Sequence, residues 1–420
     1  MRKDSEIAHK IKRQIEHFCM DCSRGLSRPL QKFIFQMVYG ILASKSVHLT
    51  KIGRSLNEGI RLLYTVKRLS RNLAHEGLEE ELQENCLARL GQVVEERTVI
   101  GLDLSDLCKP YATRMEHLCE VYDGSEGEVK DHGYPWITAV AAGSEGEVVP
   151  LYARLFSYRA EDFRSENEEI WRAIEVIFRH TDGRGIISID RGGDRGVILS
   201  KLITGGYHFN IRLRGDRELI RISDKQVRRA MEIASQVEPH YKQTVSLTVD
   251  GEEKSYRLRY GSVEVCLPGF EKVLWLVVIW GFGEEPILLL TDLSARGELV
   301  VKRAEEYLLR WRCEEHIRFL KQGFDLEDIR LLRYRRLQNM MVLLLLALGI
   351  LCKIGYISSH LTLLKHKIIE KSRRLFQTPK FLYYTLADGI WEYLKFYRPK
   401  VVAHIPIPIK SGQLVLFSEI

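Results

Sequence analysis

Two aspartates in this sequence stand where apolar runs end, which suggests metal-dependent chemistry. Asp103 follows the β-branched run at residues 98–102, and Asp190 follows the apolar run at residues 185–189. A carboxylate at the end of a buried strand is costly unless another group pairs with it. A divalent cation is a natural partner, because Mg²⁺ binds one or two carboxylates together with substrate phosphates. The pair therefore predicts a metal site, although a single aspartate after a strand is also a common turn cap.

A third carboxylate, Glu314, belongs to a helical stripe. Tyr307, Arg310, Glu314 and Lys321 are spaced by three, four and seven residues. At about 100° per residue they share one narrow polar stripe beside an apolar sector. We therefore predict one long helix over residues 297–322. An ordinary surface stripe with an Arg–Glu pair four residues apart would have the same spacing, so the pattern alone leaves Glu314 a candidate.

The elements that must position these side chains alternate between strands and helices. We predict strands at 98–103, 136–140, 148–153, 185–190, 207–213 and 287–290, and helices at 166–180 and near 195–204. Residues 216–285 alternate like a β-rich insertion and include an Asp-Gly hairpin turn at Asp250. The stretch 132–136 is predicted to be a surface loop. This order fits a mixed α/β core with an insertion.

The N-terminal residues 1–95 are helical in pattern and contain a segment typical of a helix-turn-helix. A short helix at 49–56 and a Gly-containing break at 57–59 precede a second helix at 63–73. Such a second helix enters the major groove of DNA. We expect apolar residues 63, 66, 69 and 73 to face inward, and the outward face to carry Thr65, Lys67, Arg68, Arg71 and Asn72. The alternative is an ordinary basic helical hairpin.

The charge is unevenly distributed along the 420 residues. The net charge is +7, yet residues 1–75 have an excess of ten positive charges and residues 330–400 an excess of eleven. The part between them is therefore strongly acidic. Basic ends can neutralise DNA phosphates, whereas an acidic middle would repel DNA unless cations bridge the two. The charge pattern thus favours a DNA-binding, metal-dependent protein.

Cysteines and apolar runs point to neither a zinc site nor a membrane span. Cys19 and Cys22 form the only CxxC, and no second ligand pair completes a zinc site, so we predict two ordinary helical cysteines. The longest apolar run, residues 340–352, is shorter than the roughly 20 residues that a span needs. It predicts a buried helix in a helical C-terminal region. No signal-peptide pattern begins the sequence, and we expect a cytoplasmic protein.

These residues carry a resemblance to a known family. Tyr307-x2-Arg310-x3-Glu314-x6-Lys321 resembles the YREK signature of DDE transposases from bacterial insertion sequences, of the family-four type. Asp103-Leu104-Ser105 resembles the first Asp motif of that family, and Asp190-Arg191 the second. A β-rich insertion between the second Asp and the Glu is another family trait. The resemblance spans roughly residues 45–350 and implies a ribonuclease-H-like catalytic core.

The resemblance also implies a mechanism and partners. Two divalent ions, Mg²⁺ or Mn²⁺, would bind between the scissile phosphate and the carboxylates of Asp103, Asp190 and Glu314. Tyr307, Arg310 and Lys321 would bind DNA phosphates and transposon ends, and Lys67, Arg68 and Arg71 are the candidates for contacts by the helix-turn-helix. The partners would be terminal inverted repeats and target DNA, bound by a homodimer that is associated with the bacterial nucleoid.

Two other functions fit the same sequence. One is a DNA-binding protein descended from a transposase that has lost its chemistry, and the other is a metal-dependent nuclease without strand transfer. We expect Trp275 and Trp280 to pack in the core rather than to stack on a flipped base. Asp106 and Asp194 lie near the motifs, and we expect each to cap a turn or to support the metal ligands from behind. Neither the inverted-repeat sequence nor the choice between cut-and-paste and replicative routes follows from the motifs.

The predicted organisation has five parts. Residues 1–95 form the DNA-binding domain, and residues 96–215 and 286–335 form the two halves of the catalytic core. Residues 216–285 are the insertion, and residues 336–420 are a helical region for a dimer or DNA contact.

Overall fold

The computed structural model describes residues 2–123, 127–249, 252–373, 381–395 and 397. Its described part is a mixed α/β fold with a twelve-stranded sheet, preceded and followed by helices. The mixed α/β class predicted from the sequence is therefore confirmed.

Five helices precede the sheet: α1 (Arg2–Cys22), α2 (Arg28–Ser44), α3 (Leu49–Ser55), α4 (Leu62–Asn72) and α5 (Leu78–Leu90). Helix α2 begins with a proline in its first turn and ends where Lys45 adopts a left-handed conformation with φ of 48°. It is apolar on nearly every side and buried, so it forms the centre around which α1, α3 and α4 pack. Cys19 and Cys22 are buried residues of α1, in the helical setting that the sequence predicts.

The first half of the sheet contains β1 (Val99–Cys108), β2 (Cys119–Asp123), β3 (Glu128–Ala142), β4 (Val148–Leu155), β5 (Ile186–Ile189) and β6 (His208–Arg212). Helix α6 (Glu166–His180) precedes β5, and α7 (Gly196–Gly205) connects β5 to β6. Strand β5 pairs in parallel with β1 and with β6, whereas β3 runs antiparallel to β1 and to β4. Parallel neighbours require crossover connections, and the two helices supply them.

The insertion extends this sheet. It contains β7 (Glu218–Arg221), β8 (Val227–Arg229), α8 (Ala230–Ser235), β9 (Tyr241–Val249), β10 (Glu252–Cys266) and β11 (Leu274–Trp280), and β12 (Ile287–Thr291) follows it. Strand β12 pairs with β6 on one side and with β11 on the other, so the insertion strands continue the core sheet edge to edge. The predicted turn at Asp250 lies outside the described residues, although β9 and β10 on either side of it pair as antiparallel neighbours.

Five helices complete the described chain: α9 (Leu299–Leu308), α10 (Trp311–Gly323), α11 (Tyr334–Cys352), α12 (Thr362–Lys371) and α13 (Tyr383–Leu394). Helix α11 packs against β4 on the sheet and against α2 and α5 of the N-terminal helices. By length and composition, the helical stretch Tyr334–Ile357 is the one described segment that could cross a membrane, but 83% of its most apolar window is buried within the protein. It is the central core helix, which agrees with the predicted buried helix at 340–352.

Two predictions about these elements are wrong. The region 297–322 is two helices, because α9 ends at Leu308 and a tight turn with the bond from Arg310 N to Tyr307 O (3.0 Å) precedes α10. The predicted loop at 132–136 is part of β3. Gly and Pro suggest a turn there, but Tyr134 and Trp136 are fully buried, and the indole Nε1 of Trp136 donates to the carbonyl of Asp106 at 3.2 Å. Burial of two aromatic rings outweighs the local turn preference.

Candidate active site and DNA-contacting residues

The parallel pairing of β1 and β5 places Asp103 and Asp190 at the same level of the sheet. Gly101 of β1 pairs with Ser188 of β5, and each aspartate lies two residues beyond that pair. Strand β5 ends at Ile189, whereas β1 continues to Cys108 along β3. Asp103 is therefore a mid-strand residue, which corrects the prediction that it ends its strand. The pairing between β1 and β5 ends two residues before Asp103, while β1 itself continues.

The carboxylate of Asp190 also caps the turn that follows it in the chain. Its Oδ1 accepts a hydrogen bond from the backbone N–H of Gly192 at 2.7 Å, at the start of a single 3-10 turn, Arg191–Gly193. This is the turn-capping role that strand-end aspartates commonly have. The bond orients the carboxylate at the sheet edge, beside Asp103.

Glu314 reaches the same place from helix α10. A Cβ on Gly101 would lie 3.3 Å from the carbonyl oxygen of Arg310 and 3.3 Å from the Cβ of Cys313. Only a glycine lets the start of α10 approach β1 this closely. The close approach places Arg310 and Cys313 against Gly101, two residues before Asp103, and Glu314 directly follows Cys313.

The side chain of Arg310 joins two of the three carboxylates. Its Nη1 donates to Asp103 Oδ2 at 3.2 Å, and its Nη2 donates to Glu314 Oε1 at 2.8 Å. The guanidinium carbon lies 5.6 Å from the ring centre of Tyr307 and 5.7 Å from that of Trp311. Arg310 is only 4% exposed. The two ion pairs set the direction of the planar guanidinium, and the rings lie near it, so this arginine organises the carboxylates.

The charges in this cluster influence one another. Burial, opposed by Arg310 and reinforced by Asp190 and Glu314, raises the pKa of the Asp103 carboxyl to about 7. Burial also disfavours the charge on Arg310, but Tyr307, Asp103 and Glu314 outweigh it, and the pKa of Arg310 lies above its ordinary value. Three carboxylates thus lie around one arginine, and its single positive charge does not offset both their burial and their mutual repulsion.

The donor set fits a hard divalent cation in its chemistry. Carboxylate oxygens are the ligands that Mg²⁺ and Mn²⁺ prefer. Burial first, and then the neighbouring carboxylates, raise the pKa of Asp103, and a bound cation would stabilise its charged form against both. Among the residues that the structure describes, no three His, Cys, Asp or Glu side chains are grouped closely enough to hold a metal ion. Asp103, Asp190 and Glu314 are therefore neighbours in an open arrangement, with Arg310 between two of them.

The side chains of Tyr307 and Lys321 are engaged in other contacts beside this site. Tyr307 is 2% exposed and packs with the apolar residues between α9 and the insertion strands. The ammonium group of Lys321 lies 3.4 Å from Asp106 Oδ2 and 3.2 Å from Glu327 Oε1. Tyr307 therefore supports the Arg310 guanidinium, and Lys321 holds the far end of β1 to the chain after α10.

The predicted helix-turn-helix segment is present, but its second helix is rotated from the predicted orientation. Helices α3 and α4 pack on each other and on α2. Leu63 is 59% exposed, whereas Thr65 is buried and donates from Oγ1 to Glu58 Oε2 at 2.7 Å. The prediction that Leu63 faces inward and Thr65 outward is wrong, because the hydrogen bond to Glu58 satisfies a buried hydroxyl.

The same packing separates the three predicted DNA-binding residues of α4. Lys67 and Arg71 are exposed. Arg68 instead donates to both carboxylate oxygens of Glu58 at 2.6 and 2.7 Å and to Gln36 Oε1 at 2.6 Å. Lys67 and Arg71 thus remain at the surface of α4, whereas Arg68 ties α4 to α2 and to the turn between the helices.

Two tryptophans lie in a strand, as the sequence predicts, and a third lies beside the candidate site. Trp275 and Trp280 lie on β11, Trp275 packs against the apolar residues beside α9, and the Arg259 guanidinium lies 6.0 Å from the Trp280 ring centre. Trp311, which sequence reasoning missed, is 55% exposed directly beside Arg310. Its place in the sequence could have indicated this position, because Trp311 directly follows Arg310 within the YREK-like motif.

A comparison with protein families covers two of the three carboxylates. Residues 163–350 match the model of the transposase DDE domain. The matched segment contains Asp190 and Glu314 together with the insertion, and it begins after Asp103. The match covers a little under half of the chain.

The similarity of this chain to individual proteins is low. No curated protein matches the chain. Among solved structures, the cryo-EM structure of the piggyBac transposase synaptic complex with hairpin DNA is similar at 10% sequence identity and a TM-score of 0.40. That alignment covers 92% of this chain and 78% of the other.

Proposed function

We propose that this chain is a DDE transposase that binds transposon ends and catalyses metal-dependent DNA cleavage and strand transfer for an insertion sequence. The observation that carries the proposal is the contact of Arg310 with both Asp103 and Glu314, beside Asp190. Residues from β1, β5 and α10 meet there although more than two hundred positions separate the first from the last. The transposase DDE domain match at residues 163–350 supports the same function.

Asp103, Asp190 and Glu314 would hold two divalent ions, Mg²⁺ or Mn²⁺. When bound, such ions supply Lewis-acid stabilisation of charge on the scissile phosphate and on the leaving oxygen. Asp103 acts as a ligand only without its proton, and burial raises its pKa to about 7. Deprotonation of its carboxyl group is thus one step that the protein itself controls near neutral pH.

Arg310 has two functions in this proposal. In the protein alone it neutralises part of the charge on Asp103 and Glu314, which keeps three carboxylates compatible with a partly buried site. Its planar fork also matches a phosphate, so it can position the DNA backbone at the same place. The rings of Tyr307 and Trp311 lie near the guanidinium and favour its positive charge there.

The DNA partners in this proposal are terminal inverted repeats and target DNA. Lys67 and Arg71 on α4 are exposed basic residues at the predicted recognition helix, where they would contact phosphates. A homodimer that brings two transposon ends together, located in the bacterial cytoplasm and nucleoid, completes the proposal.

The test is cleavage of DNA that carries the inverted repeats flanking the gene. Asp103→Asn, Asp190→Asn and Glu314→Gln should each abolish Mg²⁺-dependent cleavage and leave binding to the ends intact. Asp182→Asn is a matched control, because Asp182 is a highly exposed turn residue with φ of 54°, a conformation that asparagine tolerates.

The products distinguish the proposed function from its alternatives. Joining of the cleaved 3′ ends to a second duplex supports a transposase, and cleavage without joining would identify a nuclease instead. If wild-type protein binds the ends and never cuts them, the chain is a DNA-binding descendant. Cleavage by any of the three variants at the wild-type rate would remove that residue from the site.

A further inference from the structure

A groove of about 440 Å³ lies next to the candidate active site and plays no part in the mechanism above. Four segments line it: the turn after β5 with Arg191, the turn after β6 with Arg214, the start of α8 with Arg229 and Met231, and the loop before β12. Strands β5 and β6 are parallel neighbours, so their following turns lie at the same sheet edge as Asp190. The groove is therefore adjacent to the catalytic carboxylates.

Hydrogen bonds fix the walls of this groove. The buried carboxylate of Asp194 accepts from the backbone N–H of Arg214 at 2.8 Å and from Nε of Arg217 at 2.6 Å, which joins the turn after β5 to the turn after β6. The backbone N–H of Met231 donates to the carbonyl of Gly215 at 3.0 Å, which attaches the start of α8. The arginines thus project from a framework that is already ordered.

The arginines around this site fall into two groups. Arg195 lies 2.6 Å from Glu166, and Arg217 lies 2.6 Å from Asp194, so both are used within the protein. In the described part of the chain, Arg191, Arg214 and Arg229 form no ion pair. Three unpaired guanidinium groups around one groove would bind an anion well.

We propose that this groove binds a backbone phosphate of the DNA strand that passes the candidate active site. The inference rests on the proposed function, because it needs DNA at the neighbouring carboxylates. Arg191 directly follows Asp190, so a strand whose scissile phosphate lies at Asp190 continues past this residue. The guanidinium fork provides parallel donors that match phosphate oxygens.

Acidic residues also line the groove and offset the charge of its arginines. Asp216, Glu232 and Glu285 also line the groove, so its formal charge is balanced. A balanced lining attracts DNA weakly at a distance, and the arginines act on a phosphate that the rest of the complex has already positioned. The volume lies within the usual 300–1,000 Å³ range of small-molecule sites and accommodates one phosphate with its sugar.

The experiment measures DNA affinity of the full chain by fluorescence anisotropy over a series of salt concentrations. The probe is a duplex of arbitrary sequence, since phosphate contacts do not depend on sequence. We compare wild type with the combined variant Arg191→Gln, Arg214→Gln, Arg229→Gln and with the same three positions changed to lysine. Arg296→Gln is the matched control, because the Arg296 side chain is 82% exposed and lies outside the groove.

The glutamine variant should lower the slope of log affinity against log salt by about 0.9 for each phosphate that the protein no longer neutralises. The lysine variant should keep the wild-type slope, because the positive charges remain. A glutamine variant with the same slope as Arg296→Gln would overturn the inference. Unaltered thermal melting of the variants ensures that a reduced slope does not reflect unfolding.

A local measurement gives an independent result. Phenylglyoxal modifies accessible arginines, and mass spectrometry locates the sites. Duplex DNA should protect Arg191, Arg214 and Arg229 and leave Arg296 reactive. Equal protection by inorganic phosphate at the same phosphate concentration would show a site for small anions and overturn the DNA assignment.

The two proposals fail in different ways. Wild-type protein that binds no duplex at any salt concentration would overturn both the transposase function and the groove inference. Wild-type protein that binds and cuts DNA, with the three arginines remaining reactive in the complex, would overturn the groove inference alone.

Discussion

Arg310 and Asp103 lie 207 positions apart in the sequence, yet Nη1 of the arginine donates to Oδ2 of the aspartate at 3.2 Å. The same guanidinium holds Glu314 at 2.8 Å, so one side chain connects the strand and helix that carry the carboxylates. Its position makes Arg310 both a counter-ion in the free protein and a candidate phosphate ligand.

The first prediction concerns the bridging geometry of Arg310. Arg310→Lys keeps a positive charge but cannot donate to Asp103 and Glu314 along two parallel directions, so strand cleavage should fall by about 100-fold or more. Single-turnover cleavage assays in Mg²⁺ measure the reduction. Arg312→Lys is the control on the same helix, because Arg312 pairs with Glu315 at 2.6 Å. Equal effects of the two variants would contradict the bridging role.

The second prediction concerns the close approach of α10 to β1. Gly101→Ala places a methyl group 3.3 Å from the Arg310 carbonyl and from Cys313 Cβ, so α10 must shift by a few tenths of an ångström. We expect cleavage to fall about tenfold while the fold is retained, because small misplacements of catalytic groups are costly. Gly283→Ala is the control, since no atom would lie within 4 Å of its added Cβ. Unchanged cleavage by Gly101→Ala would show that the close approach does not position the site.

The third prediction separates the roles of the basic residues on α4. Replacing Lys67 and Arg71 with alanine should reduce the salt slope of DNA affinity by about 0.9 for each phosphate that these side chains neutralise. Arg68→Ala should instead lower the free energy of unfolding, by about 1.5–3 kcal/mol, because it removes charged hydrogen bonds to Glu58 and Gln36. Anisotropy and urea unfolding measure the two effects.

The controls for that test are exposed arginines elsewhere. Arg164→Ala and Arg296→Ala remove the same amount of charge from exposed positions outside α4. A salt slope that falls equally in this control pair would show that α4 makes no special contribution to DNA binding.

The fourth prediction concerns the pH dependence of stability at Lys109. Burial lowers the pKa of this lysine from 10.5 to about 8, although Asp328 and Glu327 oppose the effect. The unfolded chain binds more protons than the folded protein between these values, so Lys109 makes stability rise as pH increases from 8 to 10.5. Lys109→Met removes the cost of burying this charge but also the hydrogen bond from Nζ to the Glu327 carbonyl, so at pH 7 it should be more stable than wild type by only about 1 kcal/mol.

That advantage should shrink as pH approaches 10.5, as measured by urea unfolding across the interval. Lys302→Met is the control, because Lys302 is exposed on α9. A difference between Lys109→Met and wild type that does not change with pH would contradict the assignment to lysine titration.

The sequence predicts the elements whose signals are local. Helix α6 has the predicted limits, 166–180, because its apolar residues recur at helical spacing and the Ser165 side chain caps its start. Strand β5, which Asp190 directly follows, lies where the pattern places it. The helix-turn-helix segment, α3 and α4, does so as well. These signals depend on neighbours within a few residues.

Features that depend on distant residues could not be predicted in this way. The break between α9 and α10 lies where Arg310 packs on Gly101, a residue distant in the sequence. The exposure of Leu63 accompanies the hydrogen bond between Thr65 and Glu58. The edge-to-edge continuation of the core sheet into the insertion depends on pairing between β6 and β12. Periodicity contains no information about which strands become neighbours.

Helix α11 contacts the sheet through β4 and the N-terminal helices through α2 and α5. The N-terminal helices, residues 1–95, therefore rest through α2 and α5 on a helix that begins almost three hundred positions after α2 ends. Truncating the chain before α11 would expose the sides of α2 and α5 that α11 covers. Changing DNA specificity by exchanging whole N-terminal segments between relatives would disturb the shared core, so grafting should be confined to the exposed surface of α4.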